Sequence, residues 1–176
     1  MTAFFKFRKL LALAVLICAT ASLSLARAES AALDAPKGPV VLSVEGRIAN
    51  TNRAGGADFD MEQLQALPWV TRETYTDWTD GAQTFEGVPL QALLDAVGAR
   101  GDRITAVALN DYKVGLPASD AKEHDVLLAI KHEGKFMRVR DKGPIWIIYP
   151  RDEASSTLPD RHNEKMVWQL RTLVIE

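Results

Sequence analysis

The chain has 176 residues, with 21 Lys and Arg against 23 Asp and Glu for a formal charge of −2, and 47% of its residues are hydrophobic. Size and composition allow a single domain with an ordinary apolar core. They provide no basic patch to attract nucleic acid or an anionic membrane. The only cysteine is Cys18, so neither a disulfide framework nor a cysteine nucleophile exists beyond it.

Residues 1–28 read as a secretory signal. Lys6, Arg8 and Lys9 form a basic start, Leu10 to Leu25 is an apolar run broken by Thr and Ser, and Ala26-Arg27-Ala28 is a small-x-small cleavage site. The run is short for a bilayer span, which weighs against a retained anchor. Ile17 ahead of Cys18 is too bulky for a lipoprotein site. Cleavage removes Cys18 together with Lys6, Arg8, Lys9 and Arg27, taking the formal charge from −2 to −6. The expected mature protein is periplasmic, free of cysteine, and neither binds nucleic acid nor inserts into the membrane.

Residues 29–38 have no periodicity and are expected to be a flexible leader before a domain spanning 39–176. Val40, Leu42, Val44 and Ile48 follow the alternation of a strand. Asn50 to Asp58 reads as a polar, Gly-rich loop. Asp60-Met61-Glu62-Gln63 has the pattern of a capping box, with Leu64 and Leu67 as the buried face of a short helix that Pro68 stops. Val70 to Trp78 is strand-like, and Asp80-Gly81 marks a turn. Pro89 suits the first position of a helix, in which Leu90, Leu93, Leu94 and Val97 recur at helical spacing until Gly98. Strands are expected over Arg103 to Leu109, Tyr112 to Pro117, Val126 to Ile130, Ile145 to Tyr149 and Trp168 to Ile175. Ser119-Asp120 caps one helical turn, and Glu133-Gly134-Lys135 closes a hairpin. Strands outnumber the short helices, so the class is a mostly-β α+β domain.

Catalytic patterns are sparse. His124, His132 and His162 show no metal-ligand spacing to one another. The sequence has no Gly-x-Ser-x-Gly elbow and no phosphate-cradling loop. Instead, polar and aromatic residues interrupt good strands at three places: Thr76-Asp77-Trp78-Thr79-Asp80-Gly81, Asn110-Asp111-Tyr112, and Arg138 to Pro150. Each has a plain explanation: Trp78, Trp146 and Trp168 as core aromatics, Asn110-Asp111 as an Asx turn, Arg140 and Asp141 as a surface pair. Their clustering at strand ends favours a pocket built on loops.

Four runs carry a resemblance. Phe85-Glu86-Gly87-Val88-Pro89-Leu90 leads into Leu93-Leu94; then come Ala108-Leu109-Asn110-Asp111-Tyr112, Arg140-Asp141-Lys142-Gly143-Pro144 with Trp146 to Pro150, and Val167-Trp168-Gln169-Leu170. In this order they resemble the molybdopterin-binding domain of the sulfite oxidase superfamily, over about Val40 to Ile175. The resemblance implies that fold, with a mixed sheet, and a groove lined by loops that holds one pterin. In the superfamily's enzymes a cysteine thiolate ligates molybdenum shortly before the Gly-x-x-Leu run. The matching stretch here, about Thr74 to Thr76, has no sulfur, and molybdenum needs a soft ligand.

The chain is more similar to a smaller branch, the periplasmic pterin-binding regulators that lack the metal ligand. That similarity implies a non-catalytic protein that binds a reduced pterin of the tetrahydropterin type, without molybdenum. Such a protein acts on the periplasmic domain of a membrane-bound diguanylate cyclase/phosphodiesterase, and so on cyclic di-GMP and biofilm formation. Asn50 to Asp58 and Arg151 to Asn163 are candidate partner loops.

A pterin is flat, with a donor edge at its 2-amino group and N3–H beside a carbonyl. Trp78, Trp146 or Trp168 can stack on it, Asp77 or Asp111 can accept from the donor edge, and Arg140 or Lys142 can donate to the carbonyl. Asn110 offers both functions, and Tyr112 and Tyr149 suit the polyol side chain. Two alternatives remain: a molybdopterin-dependent oxidoreductase, or its accessory subunit, with an atypical metal ligand, and a structural adaptor that has lost its ligand.

Overall fold

The computed structural model describes residues 33–152 and 162–176. The expected signal, residues 29–32 of the leader and the middle of the 151–163 loop lie outside them. Among these residues ten strands and three short helices follow one another: β1 (Leu42–Gly46), β2 (Gly56–Phe59), α1 (Met61–Ala66), β3 (Val70–Thr74), β4 (Gln83–Pro89), α2 (Leu90–Ala96), β5 (Arg103–Ala108), β6 (Lys113–Pro117), α3 (Asp120–Glu123), β7 (Leu127–His132), β8 (Lys135–Phe136), β9 (Trp146–Ile148) and β10 (Leu170–Ile175). Single 3-10 turns occupy Val139–Asp141 and Asn163–Lys165. Among the described residues no helix is long and apolar enough to cross a membrane.

The strands form two sheets. One has the order β2-β1-β10-β5-β6 and is mixed, because β1 and β10 pair in parallel while its other pairs are antiparallel. Here the alternation in sequence has its physical counterpart. Leu42, Val44, Leu173 and Ile175 face the core, while Ser43, Glu45 and Arg171 face solvent.

The second sheet, β3-β4-β7-β8 with β9 also on β7, is antiparallel, and its strands β7 and β9 are buried on both faces. Leu128, Ile130 and Ile147 enter the main core. Their neighbours Phe85, Leu127, Ala129, Trp146 and Ile148 form a second apolar cluster behind the sheet. That is why 126–130 and 145–149 read as unbroken apolar runs rather than alternating ones.

The expected helices form, although Pro89 ends β4 as the N-cap of the second one rather than opening that helix. Asp60 accepts from the Gln63 amide at 2.9 Å while the Gln63 side chain accepts from the Asp60 amide at 3.1 Å, completing the capping box. The same carboxylate accepts from the amides of Lys37 and Gly38, at 2.8 Å each. Residues 33–38 of the expected leader are therefore tied to the domain. The helix after Pro89 buries Leu90, Leu93 and Leu94, and Gly98 follows it at φ +59°.

Two expectations need correcting. The last three residues of the expected 50–58 loop belong instead to β2, paired with β1, and the Asn52 side chain pins the preceding turn through Asp34 and Asp58. The strand drawn to Trp78 ends at Thr74, and Gln83–Pro89 is a strand in its own right at the centre of the second sheet. Its polar residues Gln83, Thr84 and Glu86 masked it.

Gly87 in β4 explains one constraint of the Phe85-to-Leu90 motif. A Cβ at that position would lie 2.0 Å from the carbonyl oxygen of Leu128 on β7. Backbone cannot yield as a side-chain tip can. Gly87→Ala is expected to destabilise the domain by about 2 kcal/mol or more, as overpacking in a fixed core does. Urea unfolding followed by circular dichroism checks this, and a change below about 0.5 kcal/mol would show that the two strands can part.

Candidate functional site

Three chain segments converge at one end of the sheets. The first is the loop after β3, where Thr76 accepts from the Trp78 amide at 3.2 Å and its hydroxyl meets that of Thr79 at 2.8 Å. The second is the β5–β6 turn, in which Asp111 takes φ +64° and the Tyr112 amide donates to Asn110 Oδ1 at 3.2 Å. This is the Asx-type turn expected from Asn-Asp. It also decides the amide's role, because Asn110 has its oxygen engaged and keeps its Nδ2 donors for other partners. The third segment runs from the 3-10 turn at Asn163–Lys165 into Trp168.

These segments enclose a cavity of about 360 Å³. Its apolar wall is Trp78, Trp168, Ala108, Met166 and Val167, and its polar groups are Asn110, Tyr112, Asn163 and Glu164. Trp78 and Trp168 stand edge to face, with centroids 5.5 Å apart and an 84° interplanar angle. Trp168 is 37% exposed although large and apolar, so part of its ring is open to solvent. Among the described residues, Glu164 is the one charged side chain in the lining.

Trp146 supports this wall from behind. It is 1% exposed, contacts Trp78 edgewise at 5.9 Å and Phe85 at 5.5 Å, and donates from Nε1 to the Met166 carbonyl at 3.1 Å. Lys142 holds its ammonium 5.3 Å from the Trp146 ring centre and 6.0 Å from that of Trp168, a cation–π arrangement outside the lining.

The turn at Asn163–Lys165 is fastened at three points. Asn163 Nδ2 donates to Asp77, whose other oxygen accepts from Arg151 at 2.6 Å. The Tyr112 hydroxyl donates to the Glu164 carbonyl at 3.3 Å. Lys165 donates to Asp120 at 2.7 Å, and the same carboxylate oxygen accepts from the Tyr149 hydroxyl at 2.7 Å. The Asn163 amide holds the Asp77 carboxyl below the ordinary carboxylate range, against an opposing effect of burial and with help from Arg151. For Asp120, burial alone would raise the pKa, but Lys165 and the Tyr149 hydroxyl outweigh it and the result is lowered.

Of the residues expected to bind a pterin, Trp78, Asn110, Tyr112 and Trp168 line the cavity. Asp77, Lys142 and Trp146 stand one layer behind. Three lie elsewhere. Asp111 projects onto the outer face of the mixed sheet, 3.1 Å from Arg171, because its positive φ turns it away from Asn110. Arg140 is exposed in the 3-10 turn, 3.9 Å from Asp141. Tyr149 is 1% exposed, stacked on His162 at 4.5 Å with its hydroxyl on Asp120. The residues that sequence reasoning missed are Ala108, Asn163, Glu164, Met166 and Val167. Asn163 ended a run read as a candidate partner loop, and nothing local marked Glu164.

Neither threonine in the stretch matching the metal ligand is spare. Thr74 is buried, donates to the Arg151 carbonyl at 3.0 Å and accepts from the Arg151 amide at 2.6 Å. Thr76 is committed to Thr79 and Trp78 as described. Among the described residues, one other group has ligand-type atoms close together: Asp120, Glu123 and His124, within 4.8 Å of one another. A dication there would have to compete with the Lys165 ammonium already on Asp120.

Comparison with known proteins agrees with this architecture. Residues 41–156 match the oxidoreductase molybdopterin binding domain. The chain belongs to that family. Its fold is also that of a solved structure, the sulfane dehydrogenase SoxCD from Paracoccus pantotrophus, with a TM-score of 0.59 and 20% identity. The likeness covers 81% of this chain and 39% of the SoxCD chain, so the domain spans well under half of that protein. A comparison with curated proteins finds no match.

Proposed function

We propose that this is a non-catalytic periplasmic pterin-binding protein that takes a reduced pterin of the tetrahydropterin type and no molybdenum. The observation that carries the reading is the cavity: its aromatic wall is Trp78 and Trp168, packed edge to face on one another with part of the Trp168 ring exposed, and its described lining holds one carboxylate and no cation. Molybdopterin bears a phosphate, which calls for basic groups or a helix N-terminus. A plain pterin is uncharged and needs only an aromatic face, an acceptor and a donor. The threonine hydroxyls at Thr74 and Thr76 stand in place of a thiolate, and they are hard oxygens already engaged in hydrogen bonds, which suits a soft metal poorly.

In this reading the bound protein acts on the periplasmic domain of a membrane-bound diguanylate cyclase/phosphodiesterase, and so controls cyclic di-GMP and biofilm formation. Support for the partner comes from the sequence resemblance. Ligand biases such a partner only if the loaded and empty forms bind it with different affinity. The competing reading, a molybdopterin oxidoreductase with an atypical ligand, draws on the family itself.

Protein purified from its native compartment is expected to release a fluorescent pterin after oxidation and to contain no stoichiometric molybdenum. Stoichiometric metal would favour the oxidoreductase. Absence of any pterin, bound or taken up, would end the sensor reading. Trp168→Ala is expected to weaken tetrahydropterin binding about tenfold or more, the worth of one aromatic stacking face. Unfolding should change by less than about 1 kcal/mol, as for a partly exposed side chain.

A further inference from the structure

We infer that Glu164 reads the 2-amino and N3–H edge of the pterin and makes the site selective for 2-amino-4-oxo pteridines. This rests on the pterin reading above and assigns the recognition within it. The donor edge of a pterin requires an acceptor pair, best supplied by a carboxylate with both oxygens available. Asp111 is on the wrong face of the sheet with Arg171, and Asp77 spends its two oxygens on Arg151 and Asn163. Glu164 is exposed, lines the cavity, and its carboxylate makes no hydrogen bond or ion pair to another described residue.

Its position is set without using the side chain. The Tyr112 hydroxyl holds the Glu164 carbonyl, and the neighbours Asn163 and Lys165 are anchored to Asp77 and Asp120. The carboxylate is therefore carried on a fixed backbone yet left free to receive a ligand. Asn110 supplies the complementary function, since its oxygen is engaged by Tyr112 and its Nδ2 can donate to the 4-oxo group. One acceptor pair and one donor in the same lining, beside the partly exposed ring of Trp168, are the functions that the pterin edge calls for. A lumazine, with a carbonyl in place of the 2-amino group, would set oxygen against carboxylate.

The test measures anaerobic binding of 6,7-dimethyltetrahydropterin and 6,7-dimethyltetrahydrolumazine to the wild-type protein, Glu164→Gln and Asp111→Asn. Wild type should prefer the pterin by about a hundredfold, within the span of a charge-assisted pair made or left unmade. Glu164→Gln should bind the pterin about tenfold more weakly and the lumazine more tightly, because its amide can donate to the 2-oxo group. Asp111→Asn should keep the wild-type ratio. An unchanged ratio in Glu164→Gln, or a ratio lost in Asp111→Asn, overturns the assignment while leaving pterin binding intact. If wild type binds neither compound, the parent reading falls and this one with it.

Discussion

Trp146→Ala is expected to destabilise the domain by about 4 kcal/mol, the cost of truncating a fully buried Trp. The side chain is 1% exposed, and three other aromatics, Phe85, Trp78 and Trp168, stand edge to face with it. Truncation opens a void between β4, β7 and β9. It also leaves the Met166 carbonyl without the indole N–H that reaches it at 3.1 Å. A domain of this size has about 5–15 kcal/mol of stability in all, so the loss would be a large share. Urea unfolding measures it directly. Trp78 and Met166 line the cavity, so ligand affinity should fall as well. A loss below about 1.5 kcal/mol would mean that the second apolar cluster collapses to fill the space.

Asp120→Ala is expected to cost about 3 kcal/mol near neutral pH, because it leaves Lys165 and the Tyr149 hydroxyl without their shared acceptor. The sign of the pH dependence follows from the direction of the shift. Asp120 has a lowered pKa in the folded protein, so the unfolded chain binds its proton first as pH falls. Its contribution is fully present above the ordinary Asp value of about 4 and is lost as pH drops through the lower folded value. Wild type should therefore lose stability in acid more steeply than Asp120→Ala, with the two curves converging at low pH. Hydrogen exchange at 163–167 should quicken in the variant, since one of the three fastenings of the cavity wall is gone. Parallel acid limbs for the two proteins would show that Asp120 is not the group that titrates.

Much of the fold was legible because local rules and burial pointed the same way. The capping box at Asp60, the leucine spacing after Pro89 and the alternation in β1 each needed only neighbours in the chain. The polar strand Gln83–Pro89 was not legible, since its place at the centre of a sheet comes from β3 and β7 rather than from its own residues. The site divided in the same manner. Trp78, Asn110, Tyr112 and Trp168 were recognisable as aromatic and polar breaks at strand ends. Asp111, adjacent to Asn110, faces the opposite side of the sheet because of its positive φ, which composition does not reveal. Tyr149 continues an apolar strand and is drawn inward with it.

The sequence by itself determined the absence of a thiolate from residues 29–176, the period of most elements and the order of the motifs, because these depend on residue identity and short-range sterics. Only the tertiary structure decided which carboxylate is available to a ligand. Availability depends on what long-range folding leaves unpaired: Asp77 is taken by Arg151 and Asn163, Asp111 by Arg171, Asp120 by Lys165 and Tyr149. Glu164, in the lining of the cavity, has no such pairing with another described residue.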